Sequence, residues 1–222
     1  IDMVVDQPNV QSVVFTEDQG SYLVGMMAGL ASKTNTVGFI GGMDIPLIRR
    51  FGCGYAQGVK AVKPDATVIL NMTGTTPAAW NDPVKGAELT KAQKAQGADV
   101  VFAAAGGTGV GVLQTAADEG ILSIGVDSNQ NYLHPGQVLT SMVKRVDVAV
   151  YNAFKEGENL TPGVQVLDLK AEGVGYAMDD NNAKLVTPEM KAAVDAAAEK
   201  IKSGELVVHD YMADNTCPAA SF

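Results

Sequence analysis

The chain has 222 residues, 46% of them hydrophobic, enough to fill the core of one large α/β domain or two small lobes. Its formal charge is −9, and Lys and Arg gather only in short pairs such as Arg49-Arg50 and Lys144-Arg145, which excludes the basic footprint that a nucleic-acid backbone requires. The apolar runs Val37 to Gly42 and Val100 to Gly107 are strand-sized, well short of the roughly 20 residues that cross a bilayer.

Gln11 to Phe15 reads as a strand, and Asp18 to Lys33 as a helix with Tyr22, Leu23, Met26, Met27 and Leu30 at helical spacing. Thr36 to Ile40 is an apolar strand without alternation, closed by Gly41-Gly42. A helix follows from Pro46 to Val62, stopped by Lys63-Pro64. Thr67 to Met72 is the next strand, then a polar loop from Thr73 to Pro83 and a helix carrying Leu89, Ala92 and Ala95 up to Gly97. Asp99 to Ala104 is a strand leading through Gly106-Gly107-Thr108-Gly109 into a helix that ends near Glu119, and Ile121 to Asp127 is a fifth strand.

Non-alternating strands that take turns with helices specify a parallel sheet covered on both faces, so the expected class is doubly wound α/β. After Asp127 the rhythm changes. Val138 to Met142 reads as a strand, Val146 to Lys155 as a helix, and Val164 to Leu169 with Gly173 to Ala177 as a β-ribbon. The last helix runs from Thr187, its N-cap, to Lys202, with Pro188 at its first position; the tail from Asp210 to Phe222 has no apolar periodicity. The start at Ile1, without an initiator Met or an apolar signal core, reads as processed or truncated.

In open α/β sheets ligands sit outside the carboxyl ends of the strands, which directs attention to Gly41–Asp44, Thr73–Asp82, Gly106–Gly109 and Asp127–Gln130. The glycines 106, 107 and 109 either permit a tight strand-to-helix turn or offer backbone N–H groups to a ligand. Their spacing departs from the dinucleotide fingerprint, which makes an NAD(P)-binding oxidoreductase the weaker alternative. Trp80, the only Trp, either stacks on a planar ring or caps the core. Asp127 can accept hydrogen bonds from vicinal hydroxyls or serve its own turn, and Lys144 can supply a charged donor or stand as a surface cation. His134 and His209 fit no zinc spacing and no catalytic triad. Cys53 and Cys217, the only cysteines, leave one disulfide and two buried thiols equally open.

Five motifs in order, Val37-Gly38-Phe39-Ile40-Gly41-Gly42-Met43-Asp44-Ile45-Pro46, Asn81-Asp82-Pro83, Ala104 to Gly109, Gly125-Val126-Asp127-Ser128 and Leu139 to Asp147, resemble the basic membrane protein (BMP) family of purine-nucleoside-receptor-type lipoproteins. The resemblance runs from about Val10 to the end. It implies a type I periplasmic-binding-protein fold, with two doubly wound lobes closing on a ligand. It also implies a substrate-binding protein of an ABC importer, without cofactor or catalysis, a monomer outside the cytoplasm that takes a purine nucleoside or nucleobase and meets an inner-membrane permease. A ligand-sensing module of a signalling protein is a second alternative with the same fold.

Carried over by motif, Trp80 would stack on the base, Asp127 and Lys144 would hold ribose hydroxyls, and Gly106 and Gly107 would line the site, with Met43 and Asp44 as further candidates. Export also favours a Cys53–Cys217 bridge that pins the tail. The resemblance further implies that about three βα units of the first lobe lie outside this chain. Residues 1–35 and 138–160 would then be what is left of that lobe, 36–127 and 164–222 the other lobe, and 128–137 and 160–164 the crossovers.

Overall fold

Apolar runs without alternation become strands buried on both faces, and a computed structural model describing residues 1–222 shows this for the strands at 36–43, 100–104, 122–127 and 138–144. Its main sheet contains β2 (Thr36–Met43), β3 (Thr67–Gly74), β4 (Val100–Ala104), β5 (Leu122–Asp127), β6 (Val138–Lys144) and β8 (Val174–Tyr176), in the order β3-β2-β4-β5-β6-β8. The first five are parallel and β8 closes the edge antiparallel to β6. Chain direction across the sheet reverses between β2 and β4, the switch point where such sheets bind ligands.

The strands divide their side chains between two helical layers. Phe39 and Phe102 face α1 (Glu17–Ala31), α2 (Pro46–Val62) and α6 (Pro188–Ser203), whereas Ile40, Val101 and Ala103 pack with Val112 and Ala116 of α4 (Thr108–Asp118) and Leu89 of α3 (Pro83–Ala95). Helices α1 and α2 approach so closely that a Cβ at Gly58 would lie 2.0 Å from the Tyr22 carbonyl oxygen, which only glycine tolerates. Pro46 and Pro188 stand at helix N-termini, where a missing N–H costs no hydrogen bond.

A second, two-stranded sheet pairs β1 (Gln11–Phe15) in parallel with β7 (Gly163–Leu167), and α5 (Val146–Glu156) lies between β6 and β7 in the chain. This corrects the expected β-ribbon: Gly163–Leu167 joins β1 and Val174–Tyr176 joins β6, so the two runs belong to different sheets. The expected partition shifts as well. Helix α1 packs on α2, and β6 pairs with β5, so both belong to the main body, while β7 leaves it for the small sheet. The chain passes between the two sheets at 15–17, 144–146 and 167–174, in place of the expected 128–137 and 160–164. These crossings lie side by side, joined by Thr16 N–H to the Leu167 carbonyl (3.4 Å) and Arg145 N–H to the Gly173 carbonyl (2.9 Å). The outer residues of β7 and α5 are bare, with Phe154 84% and Val166 54% exposed.

The tail is more ordered than its sequence suggests. Cys217 is bonded to Cys53 of α2 with Cα atoms 5.6 Å apart, Tyr211 is buried in a short helix α7 (Tyr211–Asp214), and Asp210 pairs with Arg50.

Candidate functional site

A cavity of about 290 Å³ opens at the carboxyl ends of the parallel strands, beside the switch point. Its wall is built element by element. Leu47, Ile48 and Phe51 come from the first turns of α2, Trp80 from the loop after β3, and Ala104 and Gly106 from the end of β4 and the turn beyond it. Val126 and Asp127 end β5, Lys144 ends β6, and Asp2 reaches in from the segment preceding β1.

Trp80 lies half-buried on the backbone of β2. A Cβ at Gly42 would stand 2.3 Å from its Cζ3 and 2.4 Å from its Cε3, so the glycine is what lets the indole lie there. The loop that carries it is pinned by Thr108, whose hydroxyl donates to the Ala79 carbonyl (2.8 Å) and accepts from the Asp82 N–H (2.7 Å). Asp82 then caps α3 by accepting from the Lys85 N–H at 2.9 Å.

Asp127 adopts φ +66°, a left-handed conformation uncommon for non-glycine residues and tolerated by aspartate better than by most. Its carboxylate reaches the solvent of the cavity but is crowded by protein, and that loss of water raises its pKa, with Lys144 pulling it down and Asp2 pushing it up. Behind it, Gln130 accepts from the Val126 N–H (2.9 Å) and donates its own backbone N–H to Ser141 Oγ (2.9 Å), which fixes the turn.

Lys144 is only 6% exposed. Its Nζ lies 2.6 Å from Asp2 Oδ1 and 3.0 Å from Glu17 Oε1, and 4.8 Å and 5.8 Å from the ring centres of Phe15 and Phe51. Burial works to lower the ammonium's pKa, but the carboxylates of Glu17 and Asp2 outweigh it and hold the group above an ordinary lysine. An aromatic wall thus faces a cation set among three carboxylates, able to grip a planar ring and to exchange hydrogen bonds with hydroxyl groups.

Of the residues singled out from sequence, Trp80, Asp127, Lys144 and Gly106 meet in this cavity. Gly107, at the N-cap of α4, and Met43 do not line it. Asp44 is drawn away from it because Arg49 holds its carboxylate at 2.6 Å and keeps its pKa low. Asp2, Leu47, Ile48 and Phe51 were not singled out from sequence; the first stands before a strand, outside the carboxyl-end rule, and the others lie within a helix. A wider groove of about 560 Å³ between α1, β8 and α6 holds none of the candidate residues, and its Tyr176 hydroxyl is already bonded to Asp195. No cluster of three or more His, Cys, Asp or Glu side chains is placed to hold a metal, and no helix is long and apolar enough to cross a membrane.

Residues 1–211 match the family model Bmp, described as ABC transporter substrate-binding protein PnrA-like. The chain is 36% identical to the ABC transporter nucleoside-binding protein BmpA of Lactococcus lactis, over 94% of this chain and 63% of that protein. It is 35% identical to a CD4+ T-cell-stimulating antigen of Listeria monocytogenes, over 93% and 61%. Basic membrane protein D of Borreliella burgdorferi is 33% identical over 78% and 51%. The chain therefore spans about three fifths of the length of the first two of these relatives. Among solved structures it is similar to an ABC transporter solute-binding protein of Aeropyrum pernix (26% identity, TM-score 0.83, 94% of this chain and 70% of that one). It is also similar to a transcriptional activator of the comK gene of Bacillus halodurans (25%, 0.79, 92% and 69%).

Proposed function

The chain belongs to the Bmp family of PnrA-like ABC transporter substrate-binding proteins, and from that premise we propose that its protein captures a purine nucleoside or nucleobase outside the cytoplasm and presents it to an ABC permease. The observation that carries the reading is the cavity itself, where Trp80 and Phe51 share walls with Asp127, Lys144 and Asp2. The relative named as a nucleoside-binding protein supports the choice of ligand, and the names of the basic membrane proteins support attachment to the outer face of a membrane.

The binding step follows from the chemistry of each group. The base slides against Trp80, where stacking is worth about 1–3 kcal/mol and depends little on which base it is. Asp127 accepts hydrogen bonds from the ribose hydroxyls and Lys144 donates to them, both charge-assisted. Gly106, with no Cβ, leaves the ring room beside the Trp80 loop. The small sheet is joined to the main body by three adjacent crossings, so a ligand that touches both stabilises a closed arrangement through differential contacts, and that arrangement is the one the permease reads. No bond is made or broken, so no catalytic group is required.

Calorimetry of the complete protein with adenosine, guanosine, inosine, cytidine and the matching bases tests the reading; heat with purine nucleosides or bases is expected, and none with any of them would overturn it. The likeness to a transcriptional activator favours sensing as a second reading. Uptake of labelled inosine separates the two: a strain lacking the gene loses uptake if the protein serves transport and keeps it if the protein serves sensing.

A further inference from the structure

Lys144 stands on the crossing that leaves β6, and the acid that meets it from the neighbouring crossing is Glu17, the first residue of α1. Glu17 is only 1% exposed, a position that a carboxylate occupies only when its charge is met. Its two oxygens are shared out: Oε1 lies 3.0 Å from Lys144 Nζ, in an angled ionic contact, and Oε2 accepts from Arg50 Nη1 at 3.0 Å. The same Arg50 nitrogen donates to the Phe15 carbonyl at 2.9 Å, the last residue of β1, while its Nε and Nη2 hold Asp210 of the tail and its Nε stands 3.4 Å from Asp18. Glu17 is thus placed so that one oxygen touches a cavity residue and the other is fixed to the joint between the two sheets.

We propose that Glu17 is a positioning residue for ligand binding, holding the Lys144 ammonium in place at the cavity through one oxygen while Arg50 anchors its other oxygen to the crossing at Phe15. The proposal rests on the cavity being the ligand site. Asp2 also faces Lys144, but it is an exposed residue of the segment before β1, tied there by one backbone bond to Val13, and so is a looser partner than a carboxylate at a helix start. Asp127 approaches from the end of β5. With Glu17 gone, Lys144 keeps Asp2, the more distant charge of Asp127 and the faces of Phe15 and Phe51, but loses the one carboxylate that is both in contact with it and anchored at a helix start.

The test uses the complete protein with the variants Glu17→Gln, which keeps the shape, Lys144→Gln, and both together. Carbon-13 labelling of the lysines reports the titration of Lys144 without any ligand, the Lys144 variants assigning its signal. In Glu17→Gln the midpoint is expected to fall below that of the wild type. Calorimetry with inosine is expected to show affinity lowered about tenfold or more at neutral pH, as for loss of one charge-assisted contact. Adding Glu17→Gln to Lys144→Gln is expected to cost nothing more, whereas a carboxylate that only stabilises the fold would lower both single and double variants alike. An unmoved Lys144 midpoint, or full affinity in Glu17→Gln, overturns the proposal. If the wild type binds neither inosine nor hypoxanthine, the ligand reading falls separately, and the Lys144 titration by itself supports the hold of Glu17 or refutes it.

Discussion

Gly42→Ala puts the aromatic wall of the cavity under direct strain. The added Cβ would sit 2.3 Å from Cζ3 and 2.4 Å from Cε3 of Trp80, against about 3.5–4.0 Å for carbon atoms in contact, so one partner must retreat by more than about 1 Å. Gly42 lies in β2, an interior strand flanked by β3 and β4, whereas Trp80 sits on a short loop, so the ring gives way and tilts toward the cavity. Overpacking of this kind costs about 1–3 kcal/mol in stability, or roughly 2–4 °C in Tm for each kcal/mol in a domain of this size. Inosine affinity should fall by about 5- to 150-fold if the stack is lost, the equivalent of about 1–3 kcal/mol. A cycle with Trp80→Ala isolates the effect: without the indole, the methyl at position 42 should cost almost no further stability. Calorimetry and thermal unfolding of the four proteins decide it. If Gly42→Ala melts and binds as the wild type does, the indole does not rest where the structure puts it, and the stacking role loses its support.

Asp127→Asn should weaken binding of inosine more than of hypoxanthine, since only the nucleoside carries ribose hydroxyls; equal losses by calorimetry would contradict a ribose contact. Asp18 should make stability depend on pH: burial, only partly offset by Arg50, raises its carboxyl from 3.8 to about 7, so the folded chain keeps a proton that the unfolded chain releases. Urea unfolding should then show stability declining as pH rises between those two values and level above them, and Asp18→Asn should flatten that part of the curve and exceed the wild type at pH 8. Cys217→Ser should lower Tm while leaving inosine affinity intact, because the bond closes a loop of 164 residues, for which chain entropy allows up to about 5 kcal/mol, and lies within the main body. Unchanged Tm in that variant, or two free thiols per chain in denatured unreduced material, would count against the bond.

How much of this could be read from the sequence depended on how local the cause was. Helix α2 was legible to the residue because Pro46 starts it and Lys63-Pro64 stops it, both short-range effects. β7 and β8 were legible as strands, but their pairing was not: two short strands near each other in sequence suggest a ribbon, while the true partner of Gly163 is Gln11, at the far end of the chain. The same limit governed the site. Trp80 follows β3, and Asp127 and Lys144 are the last residues of β5 and β6, so all three stand at the carboxyl ends of strands. Asp44 follows one too, and only the position of Arg49 reveals that its carboxylate is already taken. Asp2 reaches the cavity because its N–H bonds to the Val13 carbonyl, a contact that no periodicity announces.

The bare residues of β7 and α5 give the chain a handle of a colloidal kind. Its net charge of −9 keeps copies apart in dilute buffer, yet the screening length shrinks to about 3 Å in molar salt, and the exposed Tyr151, Phe154, Val164 and Val166 are then free to adhere. Strongly hydrated salts such as sulfate sharpen that tendency by being excluded from protein surface. A hydrophobic-interaction resin should therefore retain the chain through these residues and release it as sulfate is withdrawn, and charged substitutions at Phe154 and Val166 would make it easier to keep in solution at high concentration.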